Sequence, residues 1–168
     1  MVDSETNGPT TTEEVREAVL EDAEVLHVLV KELAVALGDR SPRFRAMRAR
    51  LDELLAEPGA RVLVAEGAEG VVGAASLWIK PDLAHGDVVI EVPMLIVSGG
   101  ARRRGVGKLL IKEIWRIAAE ENAALIELVA TQENNVARAF YKSLGFVETE
   151  HIALEFVGDM QQPPDPKD

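Results

Sequence analysis

The sequence predicts a mixed α/β fold, and three observations carry that prediction. Residues 61–66 (RVLVAE) and 71–79 are rich in β-branched side chains and flank a glycine turn at 67–70, which reads as a hairpin. Residues 88–97 form a strand-like run that passes through a glycine-rich turn into an amphipathic stretch from Gly105 to Glu121. A second strand-like run follows at 124–131. Strand, helix and strand connected at this length give parallel neighbours with a right-handed crossover. Two helical patterns also precede the hairpin. A hairpin joined to a parallel unit makes the sheet mixed.

In chain order, residues 1–12 are polar and contain Gly8-Pro9, and 161–168 hold three prolines; both ends are expected to be disordered. A single domain is expected over 13–160, because 168 residues with 47% apolar content fill one core and not two. A short strand is expected at 14–18. Asp22 is a candidate N-cap, since its carboxylate can accept from the free amides of a following turn. The helix after it carries Val25, Leu26, Leu29, Leu33 and Leu37 on one face and stops at Gly38. Ser41-Pro42 signals a second helix with the stripe Phe44, Met47, Leu51, Leu54 and Leu55, ended by Pro58-Gly59. Arg43, Arg45, Arg48 and Arg50 lie mostly off that stripe, as solvent-facing charges do. Residues 81–86 are expected to loop. Pro93 cannot donate to a ladder, so the strand at 88–97 should be bulged near it.

Composition excludes several classes. The chain has no cysteine, hence no disulfide or thiolate metal site, which agrees with a cytoplasmic location. Its histidines, His27, His85 and His151, show no metal spacing. No apolar run reaches the roughly 20 residues of a membrane span, and the N-terminus lacks the features of a signal peptide. A net charge of −11 and 4% aromatic residues argue against nucleic-acid binding.

Against that acidic background, residues 97–108 (VSGGARRRGVGK) stand out. Unpaired amides and the helix dipole favour an anion where a helix begins. Gly99, Gly100, Gly105 and Gly107 open the backbone to a ligand, and Arg102, Arg103 and Arg104 add charge; together these favour phosphate. The Walker pattern fails, because Arg102 and Leu109 stand where it needs glycine and Ser or Thr. The dinucleotide fingerprint fails at Leu110, where it needs its third glycine. What fits is Arg-x-x-Gly-x-Gly at Arg102, Gly105 and Gly107, with Val97 five residues before. This resembles the pyrophosphate-binding motif of the GNAT superfamily of acyl-CoA N-acyltransferases. A second stretch, residues 134–146 (NNVARAFYKSLGF), resembles that family's Asn-x-x-Ala-x-x-Phe-Tyr-x-x-Leu-Gly-Phe signature, with Asn134, Ala137, Phe140, Tyr141, Leu144, Gly145 and Phe146 in register.

The resemblance implies a GNAT fold: a central, mostly antiparallel sheet with a splayed parallel strand pair and about four flanking helices. It implies acetyl-CoA as co-substrate, held by the backbone of Leu95, Ile96 and Val97, by Arg102, Arg103, Arg104, Gly105, Val106, Gly107 and Lys108, and by Asn134 and Tyr141. It also implies N-acetylation of a primary amine. A small-molecule amine is the expected acceptor, with a protein lysine or N-terminus as the alternative, and a homodimer is compatible with the family. A non-catalytic acyl-CoA sensor is the remaining alternative.

Transfer from a thioester to an amine needs a donor for the developing oxyanion and a proton for the departing thiolate. Tyr141, with an ordinary phenol pKa of about 10 against about 8.5 for a thiol, suits the proton. Glu91 is the candidate base, since strand parity matches it to Pro93 and Leu95. Many family members carry a polar residue nearer the position of Pro93, so a water chain to Glu91 fits better than direct contact. His151 and Glu127 are reserves. With no cysteine and no Ser-His pair in evidence, a covalent acyl-enzyme is disfavoured.

Overall fold

Runs of apolar, largely β-branched residues build a five-stranded sheet among the described residues of the computed structural model, which are 13–84, 86–154 and 161. The expected disordered tails lie outside the described residues, Gln161 aside. The strands are β1 (Glu14–Glu17), β2 (Ala60–Gly67), β3 (Gly70–Asp82), β4 (Asp87–Val97) and β5 (Ala123–Leu128), in that spatial order. The first four are antiparallel neighbours, and β4 and β5 run parallel. The expected hairpin is present with a two-residue turn at Ala68-Glu69. The loop expected at 81–86 begins later, because β3 continues to Asp82 and pairs there with Asp87.

Four helices accompany these strands among the described residues: α1 (Ala23–Leu37), α2 (Phe44–Ala56), α3 (Val106–Glu120) and α4 (Asn135–Ser143). The chain forms two units, Met1–Val129, which holds the sheet and α1 to α3, and Ala130–Asp168, which holds α4. On one face of the sheet Val62, Val64, Ala74 and Ile96 pack with Leu26 and Leu29 of α1 and Leu51 of α2. On the other, the fully buried Val106, Leu110, Ile111 and Ile114 give α3 its core stripe. Burying each such side chain contributes about 1.5–3 kcal/mol.

Two local expectations are corrected. Asp22 does stand at the start of α1, but its carboxylate caps no helical amide. It accepts instead from the Val19 N–H at 2.9 Å and from Arg16 at 2.8 and 2.9 Å. A guanidinium brought alongside by β1 outcompetes the single amide of a helix turn, because a bidentate charged pair is the stronger bond. α2 starts at Phe44, two residues after the proline expected in its first turn. The Pro42 carbonyl lies 3.0 Å from His27 Nε2, and the first helical bond is Met47 N–H to Arg43.

Candidate active site

The parallel pairing of β4 and β5 runs from Val88–Ala123 to Val92–Leu128 and stops, while β4 continues to Val97 beside β3 alone. Where it stops, β4 is bulged: Glu91 pairs with Trp78 and Met94 with Ser76, so Val92 and Pro93 stand opposite the single residue Leu77. This is the irregularity expected near Pro93. Beyond it, the Ser98 N–H donates to Val72 of β3 at 2.9 Å. Strand amides alternate in direction, so those of Ile96 and Met94 also point to β3. Those of Leu95 and Val97 point the other way, into the space that β5 has left.

The bulge also moves Glu91. A Cβ at Gly73 would meet Val106 and Leu110, so Gly73 faces α3, and Val97 and Leu95 share that face through their partners Gly73 and Ala75. Ile96 and Met94 face α1 and α2. Glu91, paired with Trp78, falls on the α1 side with Met94, not on the side of the Leu95 side chain as unbroken alternation predicts. One extra residue inverts parity. There Lys80 donates to Glu91 Oε2 at 2.5 Å, a hydrogen bond that holds the Lys80 ammonium above the usual lysine range. Glu127 lies directly beside Glu91 on β5. The sequence marked Glu91 and Glu127 but missed Lys80, whose place opposite Val89 becomes visible only once the hairpin register is known.

After β4, a 3-10 turn at Gly99–Ala101 leads to Arg102, Arg103 and Arg104. Gly105 then starts α3 with φ 88°, a conformation glycine adopts without strain. The first backbone amide bonded within α3 is Leu109, to Gly105 at 3.0 Å. The amides of Val106, Gly107 and Lys108 therefore have no helical acceptor. A Cβ at Gly99, Gly100 or Gly105 would meet nothing within 4 Å, so the backbone is open to a ligand.

The three arginines divide. Arg102 Nε donates to the Val97 carbonyl at 3.2 Å, and Arg104 pairs with Glu13 at 2.8 Å. Arg103, with φ 62°, has no ion-pair or hydrogen-bond partner among the described residues. On the α1 side, the Gly99 N–H donates to Glu32 at 3.1 Å. Nothing in the sequence singles out Glu32, since contact with Gly99 requires the packing of α1 on β4.

In the second unit, Asn134 caps α4: its Oδ1 accepts from the Ala137 N–H at 3.0 Å. That commits one acceptor and leaves its NH2 group. The Tyr141 ring meets Phe140 in a tilted contact and Phe146 edge to face, with ring centroids 5.3 and 5.8 Å away, and burial pushes its phenol above the ordinary tyrosine value. Gly145, with φ 90°, follows the end of α4, a backbone conformation that suits glycine. His151 is exposed. Among the described residues no group of His, Asp and Glu could hold a metal ion, and no helix is long and apolar enough to cross a membrane.

Known proteins place this geometry in a family. A curated mycothiol acetyltransferase of Beutenbergia cavernae is 33% identical over 101 residues, which are 60% of this chain and 32% of that protein. The chain thus spans about a third of the length of that relative. Among solved structures, a transcriptional regulator from Bacillus halodurans superposes with a TM-score of 0.78 at 22% identity, covering 88% of this chain and all of the other. An aminoglycoside N-acetyltransferase in complex with CoA also gives 0.78, at 22% identity, covering 89% of this chain and 98% of its own. At such identities the likeness shows the fold. The family model described as the acetyltransferase (GNAT) domain matches residues 58–148. With more than half its length so matched, the chain belongs to the GNAT family of acetyltransferase enzymes.

Proposed function

We propose that this protein is an N-acetyltransferase that moves an acetyl group from acetyl-CoA to a primary amine by direct transfer, with both substrates bound together. The observation that carries the reading is the parting of β4 from β5 after Val92. It leaves the Leu95 and Val97 amides facing a slot that leads into the glycine-arginine turn. A linear thioester fits such a slot, its pantetheine arm on those amides and the intervening Ile96 backbone. Its diphosphate then lies on Arg103 and the amides of Gly105, Val106, Gly107 and Lys108, with Arg102 and Arg104 adding positive potential.

In this reading the amine approaches from the α1 side of the sheet, where Glu91 and Glu127 lie. Its lone pair attacks the thioester carbonyl carbon, the C–N bond forms, and the C–S bond breaks. The Leu95 amide meets the developing oxyanion, a contribution typically worth about 10²- to 10³-fold in rate. Glu91, already hydrogen-bonded to Lys80, takes the amine's proton through water. Tyr141, which the family resemblance makes the acid, returns a proton to the sulfur; Asn134 is a further cofactor contact on the same ground. The absence of cysteine supports direct transfer and agrees with a cytoplasmic site of action.

The test is acetyl-CoA-dependent thiol release over a panel of small amines and of peptides with free lysines or N-termini, beside calorimetry with CoA. Turnover with a small amine supports the reading; turnover with peptides alone moves the acceptor to protein. Tyr141→Phe should keep its CoA affinity and lose about 10²- to 10³-fold in turnover. CoA binding with no turnover on any amine would leave an acyl-CoA sensor.

A further inference from the structure

The cofactor reading leaves one contact unused. Glu32, half-buried on α1, reaches across to the turn after β4 and accepts the Gly99 N–H at 3.1 Å. It does so in a groove of about 580 Å³ whose walls also include Lys31, Val28, Val35 and Arg102. A carboxylate therefore occupies an amide of the turn that the sequence marks as an anion site, and it stands in the same groove as the first arginine of the motif. Arg102 itself is turned back to the Val97 carbonyl. The chain supplies its own negative charge where its sequence concentrates positive charge.

We propose that Glu32 is an internal competitor for the anion site: docked on Gly99 beside Arg102, it sets how tightly the turn holds a diphosphate. The proposal rests on the cofactor reading and adds a residue outside both signature stretches. A fixed carboxylate within the turn raises the energy of any second anion there, because like charges repel and the groove is only partly screened by water. It also satisfies the Gly99 amide while the turn is empty, so this N–H does not lack a partner before the ligand arrives. Ligand binding must either displace that carboxylate or bear its field, and both weaken affinity.

Calorimetry with CoA on the full chain tests this with two variants. Glu32→Gln keeps an oxygen that can accept from Gly99 and removes the charge. Glu24→Gln makes the same charge change on the exposed face of α1, two turns away. At 50 mM salt, Glu32→Gln should bind CoA about three- to tenfold tighter than the native chain, as expected for one like charge roughly 6 Å away at an effective dielectric of about 40–80. Glu24→Gln should change affinity less than twofold, and the difference between the two should shrink at 0.5 M salt. Equal effects of the two variants would overturn the proposal, since bulk charge would then explain both. Weaker binding by Glu32→Gln would also overturn it, because Glu32 would then be organising the turn for its ligand. Failure of all three proteins to bind CoA would overturn the cofactor reading itself, and this proposal with it.

Discussion

Asp22 is the only buried charged side chain among the described residues, and it shows how a single group can carry pH dependence. Its two oxygens take both Arg16 terminal nitrogens and the Val19 amide, and Arg16 Nε reaches Glu66 at 2.6 Å. The Arg16 hydrogen bond holds the Asp22 carboxyl below the usual aspartate range. A carboxylate with a depressed folded-state pKa stabilises the fold above its ordinary value near 4, and that stability is lost as pH falls through the folded value. Asp22→Asn should therefore cost about 2–3 kcal/mol at pH 7. Urea unfolding at pH 7 and pH 3 should show the gap between native and variant narrowing in acid; a gap unchanged between them would remove the ion pair from the account. Tyr141 titrates in the opposite sense. Burial raises it, so the neutral phenol persists through the neutral range. If it is the acid, the rate should hold on that limb up to about pH 10. A loss of turnover centred near pH 8 that disappears in Tyr141→Phe would contradict its environment.

At the scale of elements, the approach of β3 to α3 makes a sharper prediction. A Cβ on Gly73 would lie 3.0 Å from Val106 Cγ1 and 3.1 Å from the Ile96 carbonyl oxygen. The oxygen belongs to β4 and cannot yield, and Val106 opens α3 beside the anion turn. Gly73→Ala should cost about 1–3 kcal/mol by overpacking and weaken CoA binding as well. Gly105→Ala meets no neighbour, so its cost is that of the left-handed backbone alone, about 1–2 kcal/mol. Thermal melts beside CoA calorimetry check both: each variant should melt lower, and Gly105→Ala, whose amide is proposed to hold the diphosphate, should lose more affinity than Gly73→Ala. The strands and helices were legible in the sequence because periodicity records which face is buried. The glycine turn was legible because glycine and clustered arginine have few other uses together. The bulge was legible too, since Pro93 lacks a donor, but its consequence for Glu91 was not. Parity across a bulge depends on how many residues face one partner, and that is settled by pairing with β3. The partners of Asp22, Lys80 and Gly99 were likewise hidden: the first depends on the turn after β1, the second on the register of β3 with β4, and the third on the packing of α1 against β4.

At the scale of the whole molecule, charge decides the response to salt. The sequence carries 29 acidic and 18 basic residues, a net of −11 at pH 7. Its exposed ion pairs, such as Arg116 with Glu113 and Arg138 with Glu148, each contribute little, because water and salt screen them. Two cations hold Glu148 down to about 2, so it stays ionised through mild acid and its contacts persist there. Carboxylates outnumber the basic side chains by eleven, and their mutual repulsion acts over a Debye length of about 30 Å at 0.01 M ionic strength but only about 8 Å at 0.15 M. Salt should therefore relieve more repulsion than it removes attraction. Raising NaCl from 10 to 300 mM at pH 7 is expected to lift the first melting transition by roughly 2–5 °C, equivalent to about 1–2 kcal/mol for a chain of this size. At pH 5, close to the isoelectric point of about 4.8, the same addition should have little effect, because the net charge that drives the repulsion is nearly gone. A melting temperature that falls with salt at pH 7 would mean that the ion pairs outweigh the surplus charge, reversing the balance argued from composition.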